Sequence, residues 1–201
     1  IISNQAGRSN ILSRLEKYGI KIDAKNPKVQ KILDEVKDRE FSGYTYDGAD
    51  ASFELLANRL LGKVPEYLKV KSYNVNIAKS DTISTNANVV FLIDGKEISC
   101  DGEGNGPVNA LDNAIRSNFK KVEKYYNFFS DLKLLDYKVR ILNTGTEATT
   151  RVLIESTDKS GVSWFTVGVS PNIIEASFKA LIDSLDYKLF KEKAPANLNE
   201  K

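Results

Sequence analysis

The spacing of apolar residues changes once along the chain, near Tyr67, and divides it into two kinds of structure. Before that point the period is helical. Ile11, Leu12, Leu15 and Tyr18 fall on one face, with Gly19 placed to end the helix. A second helix is predicted from Pro27, with Val29, Ile32, Leu33 and Val36 buried. A third, capped by Asp47 or Asp50, carries Phe53, Leu56 and Leu60 before Gly62 and Pro65 close it. Three short helices of this kind read as a linker spanning 1–66. The turn-rich segment Gly43-Tyr44-Thr45-Tyr46-Asp47-Gly48 separates the second from the third.

From Tyr67 the alternation has period two, and the chain repeats itself. Tyr73-Asn74-Val75-Asn76-Ile77 matches Tyr137-Lys138-Val139-Arg140-Ile141 at an offset of 64. The same offset places Asp94 on Asp158, Ser99 on Ser163, Gly104 on Gly168 and Pro107 on Pro171. An ordered series with matching strand phase argues for a duplicated unit of three strands and a helix. The first copy (67–130) is predicted as strands 68–78, 86–94 and 97–102 and a helix from Pro107, capped by Gly106. The second (131–191) has strands 134–143, 149–157 and 162–169 and a helix from Pro171, capped by Ser170. The helix core faces are Val108, Leu111, Ile115, Phe119 and Val122 in one copy and Ile174, Phe178, Leu181, Leu185 and Leu189 in the other. The expected class is α+β: a short helical linker followed by two strand-strand-strand-helix units over 67–191. One small sheet under one helix buries too little to stand alone, so the units are expected to pack on each other and to pair again with a second subunit. Residues 192–201 read as a frayed polar tail.

Charge and composition narrow the chemistry. The 29 Lys and Arg against 27 Asp and Glu leave a net charge of +2, which argues against nucleic acid as a partner. No apolar run is long enough to cross a bilayer, and the single Cys100 gives no sign of an oxidising compartment, so a cytoplasmic location is expected. There is no histidine, which excludes Ser-His-Asp and Cys-His machinery and histidine-rich metal sites. The opening Ile1-Ile2-Ser3-Asn4 has neither Met nor a leader pattern, and the chain reads as a piece of a longer protein.

The most suggestive chemistry lies in Asp101-Gly102-Glu103-Gly104-Asn105-Gly106-Pro107, between a strand and a helix. A dinucleotide fingerprint would need glycine where Pro107 stands and a parallel sheet, so nucleotide binding is rejected. Glycines at such a turn leave backbone N–H groups facing a small carboxylate at the positive end of the helix; the alternative is a tight turn and nothing more. The counterpart Gly168-Val169-Ser170-Pro171-Asn172 reads as an ordinary helix cap. Trp164 and the cluster Tyr125, Tyr126, Phe128 and Phe129, at the end of the first long helix, read as packing. Arg8, Arg14 and Lys17 read as a solvated face. The acid pairs Asp101 with Glu103 and Asp47 with Asp50 lack the further ligands a metal needs.

Several segments carry a family resemblance: Gly7-Arg8-Ser9-Asn10-Ile11, Gly43 to Ala49, Gly102 to Ala110, Asp136 to Ile141, Thr166 to Ser170 and Asn172 to Ser177. From about Gly7 to Lys191 the chain resembles the carboxyl-terminal portion of the isopropylmalate and homocitrate synthase family, and its flanking segments resemble the citramalate-forming members. The resemblance implies a parent acyltransferase that condenses acetyl-CoA with pyruvate on a route to isoleucine. It also implies an absent amino-terminal barrel holding a divalent metal, and a carboxyl-terminal domain that dimerises and binds the end-product amino acid. No catalytic residue, metal or cofactor is then expected in this stretch. The implied effector site is Gly104, Asn105, Gly106, Pro107, Val108 and Asn109, with Tyr137 and Ile141; the effector's ammonium then needs carbonyls or a carboxylate such as Asp136. The effector is isoleucine, or leucine if the chain belongs to the leucine-sensing branch; a dimerisation module that binds nothing is the remaining alternative. Arg8, Asn10, Tyr44 and Tyr46 lean toward the parent's catalytic site on the same resemblance.

Overall fold

The computed structural model describes residues 4–142 and 148–198, with side chains from Gly7 onward. The predicted strand end at Asn143, tail residues 199–201 and the opening 1–3 lie outside them.

Three helices come first: α1 (Asn4–Lys17), α2 (Pro27–Phe41) and α3 (Asp50–Leu60). Gly19, at φ +70, ends the first as expected, with Ile20 N bonding back to Leu15 O. Asn26 caps α2 by accepting from Lys28 N, and Val29, Ile32, Leu33 and Val36 are buried. The cap expected for α3 is absent: Ala49 occupies that position, Asp50 is the first helical residue, and Asp47 is outside the helix. Asp50 instead faces Arg14 (3.7 Å) and Lys17 (3.6 Å).

Two antiparallel units follow, each a three-stranded sheet in sequential order with a helix on one face. The first comprises β1 (Lys69–Lys79), β2 (Ile83–Ile93), β3 (Lys96–Gly104) and α4 (Pro107–Asn118). The second comprises β4 (Lys133–Ile141), β5 (Thr150–Thr157), β6 (Ser163–Ser170) and α6 (Ile173–Lys191). A 3-10 turn (Phe119–Lys121) and α5 (Glu123–Phe129) lie between them, so the long first helix expected from the aromatic run is broken. Val122 leaves helical geometry at the break, and Phe119 folds back to stack on Phe129 with 4.0 Å between ring centres.

The duplication is real, but its register drifts. Both edge strands carry a bulge, between Val70 and Ser72 and between Leu134 and Asp136, 64 positions apart. Val89 opposite Tyr73 answers to Ile154 opposite Tyr137, an offset of 65, and Cys100 opposite Val89 answers to Thr166 opposite Ile154, an offset of 66. The β4–β5 connection and the β5–β6 turn are each one residue longer than their counterparts. Gly168 therefore matches Gly102 and not Gly104. Pro107, first residue of α4, matches Ile173, first residue of α6, so Pro171 stands outside its helix and Asn172 replaces Ser170 as the cap.

That corrected match identifies what the glycines do. A Cβ on Gly102 would lie 2.2 Å from Ala114 N, and one on Gly168 would lie 2.0 Å from Ala176 O. In both units a strand glycine and two helix alanines (Ala110 and Ala114, Ala176 and Ala180) let backbone press on backbone. The helices meet each other over a single core drawn from both inner sheet faces, including Val89, Phe91, Leu111, Ile115, Val152, Ile154, Leu181 and Leu185. Tyr73 of β1 stacks on Phe178 of α6 at 4.2 Å, carrying the core across the two units.

The outer faces differ. Leu153, Val167 and Val169 of the second sheet join a second core with Ile11, Leu15, Val29, Ile32, Phe53 and Leu56 of the helical segment. Their matches in the first sheet are Asn88, Asp101 and Glu103, and there Asn88 Nδ2 donates to Asp101 Oδ1 (2.7 Å). One copy of the unit is built to be covered on both faces and the other to meet solvent on one.

The tail expected to fray is docked through Leu198. Tyr125 Oη donates to Pro195 O (3.0 Å), Asn197 Nδ2 donates to Leu92 O (2.9 Å), and Asn197 Oδ1 accepts from Asp94 N (2.8 Å). Near it Lys188, 1% exposed, holds Asp158 at 2.6 Å and Asp131 at 3.3 Å, with Glu192 alongside. Burial raises the Asp158 carboxyl, but hydrogen bonds from Lys188 and Ser160 outweigh it and hold the group well below the usual carboxylate range.

Two predictions follow from this packing. Gly102→Ala and Gly168→Ala should each cost about 1–3 kcal/mol in urea unfolding, because the added methyl meets backbone. Gly106→Ala, whose added Cβ meets no atom within 4 Å and whose backbone is extended at φ −175, should stay within about 0.5 kcal/mol. Because Asp158 titrates lower folded than unfolded, its contribution is present above its unfolded value of about 3.9 and is lost as pH falls. Thermal melts below about pH 5 should accordingly show a shallower acid loss for Asp158→Asn than for the parent chain.

Candidate functional site

The turn between β3 and α4 is tied down from within. Gly104 has no room for a side chain: a Cβ would lie 2.5 Å from Ala110 N. Asn109 Oδ1 accepts from Asn105 N (3.1 Å), and Asn113 Nδ2 donates to Glu103 O (2.8 Å), so the turn is held in one shape by the helix it opens. Gly106 caps α4 without any side-chain acceptor, and Val108 is half-buried beside it. The equivalent turn in the second unit is closed. Asn172 Oδ1 accepts from Ile174 N (2.8 Å) and Glu175 N (3.4 Å), while Ser170 Oγ donates to Glu175 Oε2 (2.6 Å). Of two related helix starts, one is filled by its own side chains and the other has no side-chain cap on its first-turn N–H groups.

The expected site residues fall into two groups. Gly104, Asn105, Gly106, Pro107, Val108 and Asn109 form the turn itself. Asp136, Tyr137 and Ile141 lie on β4, and among the described residues no hydrogen bond or ion pair links them to the turn. Asp136 and Tyr137 are on opposite faces of the strand. Asp136 Oδ2 pairs with Lys138 Nζ (2.7 Å), and the hydrogen bonds from Lys138 and from Tyr137 N hold this exposed carboxyl below its ordinary range. Tyr137 Oη instead meets Ser177 Oγ of α6 at 2.7 Å. Ile141, on the Tyr137 face, is 66% exposed at the strand's end.

The residues of the helical segment have structural employment. Arg8 Nε donates to Ala24 O (3.0 Å) and Nη1 to Gln30 Oε1 (3.1 Å), fastening α1 to α2. Arg14 lies over the Phe53 ring at 4.3 Å and donates to Tyr46 O. It lines, with Asn10, Lys17 and Lys37, a groove of about 820 Å³ whose cations face Glu40, Asp47 and Asp50. Tyr46 is buried and Tyr44 half-buried.

A further constellation, absent from the sequence reading, joins the helices to the second unit. Ser52 Oγ accepts from Val167 N (3.0 Å) and donates to Asp183 Oδ2 (3.0 Å). Arg59 spans Asp183 (2.8 Å) and Asp186 (2.7 Å), and Tyr187 Oη donates to Glu54 Oε2 (2.9 Å). Burial pushes the Asp186 carboxyl up to about 7, against the pull of Arg59. The Asn172-x-x-Glu175 cap had a visible signal in its spacing; Ser52 and Arg59 had none, since only the fold brings α3 to α6.

The description "LeuA allosteric (dimerisation) domain" matches residues 47–189. The chain belongs to this family. The LeuA-type match begins ahead of α3, the helix that docks on the second unit, and omits α1 and α2. Relatives include an (R)-citramalate synthase of Geobacter sulfurreducens, 46% identical over 96% of this chain and 37% of its own length. The (R)-citramalate synthase of Aquifex aeolicus is 46% identical over the same shares, and the 2-isopropylmalate synthase of that organism is 28% identical over 96% and 34%. The chain thus spans about a third of the length of these relatives.

The junction of Arg59 with the buried Asp186 sets a pH dependence. Asp186 holds its proton more tightly folded than unfolded, so it removes stability as pH rises from about 4 to about 7 and makes no further change above. Denaturant midpoints measured across that window should decline less for Asp186→Asn than for the parent chain.

Proposed function

We propose that this chain is the regulatory portion of an (R)-citramalate synthase, that it binds isoleucine, and that it carries no turnover of its own. The observation that supports this reading is 46% identity to (R)-citramalate synthases across nearly the whole chain, within a LeuA-type allosteric domain. The parent enzyme condenses acetyl-CoA with pyruvate in isoleucine biosynthesis. Its divalent metal belongs, in this reading, to the amino-terminal barrel of the parent.

In this reading the effector carboxylate takes the outward N–H groups of Val108 and Asn109 at the uncapped start of α4. Its alkyl chain lies on Val108, with Tyr137 and Ile141 supplied by β4. Asp136, engaged by Lys138 on the other face, is replaced as ammonium partner by carbonyls of the turn. The working form is a homodimer in the cytoplasm. The exposed Ile77, Ile83, Val139 and Ile141 at the ends of the two sheets are apolar surface for the second copy, and among the described residues no helix is long and apolar enough to cross a membrane. Inhibition follows if isoleucine favours one arrangement of domain and helical segment over another; a coupling of about 1–3 kcal/mol suffices.

Calorimetric titration with isoleucine, leucine and valine tests this directly. Saturable binding with isoleucine preferred is expected. Gly106→Val should abolish it while leaving the melt intact, since a Cβ there meets no protein atom within 4 Å and the side chain would stand in the effector's place. A leucine preference moves the chain to the isopropylmalate branch, and no heat from a folded dimer leaves assembly as the function.

A further inference from the structure

One guanidinium serves two carboxylates where α3 meets α6. Arg59 gives Nη1 to Asp183 (2.8 Å) and Nη2 to Asp186 (2.7 Å), and the two acids stand one helical turn apart on the same face of α6. With both acids ionised the trio has more negative charge than positive. Its two sides are unequal. Asp183 has a second donor, Ser52 Oγ (3.0 Å), which in turn accepts from Val167 N of β6 (3.0 Å). Asp186, 9% exposed, has Arg59 on Oδ2 alone, and its Oδ1 is buried without a hydrogen bond.

The other groups that face Asp186 supply no second cation. From α6 comes the like charge of Asp183. From the segment after α3 come the Tyr67 phenol and the Leu68 amide, the weakest of the pulls on the carboxylate, and from α5 comes the Tyr125 phenol. Both phenols are raised above their ordinary value, chiefly by burial and further by the Asp186 charge, so they stay neutral. Two routes remove the excess charge: a proton on Asp186, or separation of α3 from α6, which returns the carboxylate to water. Burial, against the pull of Arg59, pushes the Asp186 carboxyl up to about 7. The chain has no histidine, and burial pushes the Cys100 thiol up to about 11, so a carboxyl stands here where other pH-responsive junctions use an imidazole.

We propose that the α3–α6 junction is a proton-operated latch: with Asp186 protonated, Arg59 closes on Asp183 and Ser52 holds the Val167 amide, and with Asp186 ionised the unbalanced carboxylates loosen α3 from α6 and β6. Because α3 belongs to the helical segment and α6 and β6 to the second unit, one proton sets how firmly the segment is seated on the domain. Seating is firmest below about pH 4, weakens as pH rises to about 7 and is level above, the order required of a carboxyl that holds its proton more tightly docked than free. Phe53 and Leu56 of α3 stay in the apolar core in either state, so the segment loosens and does not depart. The latch does not depend on effector binding at Gly104 to Asn109.

Hydrogen exchange of the Val167 amide in the 201-residue chain reads the latch, because that N–H is freed when Ser52 lets go. Protection is measured from about pH 5.5 to about 8.5 and corrected for the intrinsic acceleration of exchange with pH, with Val89 on the central strand β2 reporting the opening of the whole fold. Val167 should be less protected than Val89. Its opening should rise about tenfold between about pH 6 and about pH 8, the factor for a carboxyl that moves from about 7 when docked to about 3.9 in water. Asp186→Asn keeps the shape and an acceptor for Arg59 without the charge, and should hold the low-pH protection across the range. Asp183→Asn removes the like charge and should move the transition to lower pH, which loss of a merely structural bond would not do; it decides the matter if Asp186→Asn does not fold. Protection of Val167 equal to that of Val89 at every pH, a flat profile in the parent chain, a tenfold response surviving in Asp186→Asn, or an unmoved transition in Asp183→Asn would overturn the assignment.

Discussion

Backbone contact between helix and sheet at Gly102 and Gly168 is the constraint from which the rest of the domain follows. With a side chain at either position the helix would stand off the sheet, and the shared core would lose its closeness of fit. Close approach also fixes the direction in which each helix leaves its strand. The position of the first-turn N–H groups of α4, and of the Asn172 cap on α6, is thus a by-product of packing two residues deeper. A turn that resembles a binding motif is in the first place the consequence of a strand that lacks a Cβ.

The two copies use this frame to different ends. Substituting Leu153, Val167 and Val169 for Asn88, Asp101 and Glu103 turns a wet sheet face into a seat for the helical segment. The seat is then locked by polar groups that only this placement satisfies: Ser52 between the Val167 amide and Asp183, and Arg59 over two carboxylates, one of them deeply buried. Such a junction adds less to stability than its bond count implies, because two charges must leave water to form it. Its value lies in fixing one orientation of α3 on α6.

Much of this was legible in the chain, and the limits have physical reasons. The helix faces through Val29 to Val36 and Leu181 to Leu189, the strand alternation and the duplication are local periodicities that any burial of those residues must honour. The constant offset failed because a self-comparison without gaps cannot see single residues inserted in hairpins, and the chance pairing of Pro107 with Pro171 disguised the slip. The cap of α3 was misplaced because Ala49 has nothing to announce it. The break after Asn118 depends on Phe119 finding Phe129, a contact between aromatics that composition alone does not direct. At the site the turn was readable because its residues are contiguous. That Asp136 turns away from Tyr137 was readable too, from strand alternation, and was obscured by taking the motif as a block.

The docked segment through Leu198 has a mechanical meaning. The two units are joined once by covalent chain between α5 and β4, and a second time where Asn197 and its neighbours return from the end of α6 to the β2–β3 hairpin and Tyr125 of the first unit. A pair of bodies fastened at both ends of one seam works as a closed clasp. Opening it like a book along the seam would first have to break one of those fastenings. Whatever signal this domain transmits is therefore carried by its bearing surfaces, the outer face of the second sheet and the exposed strand ends.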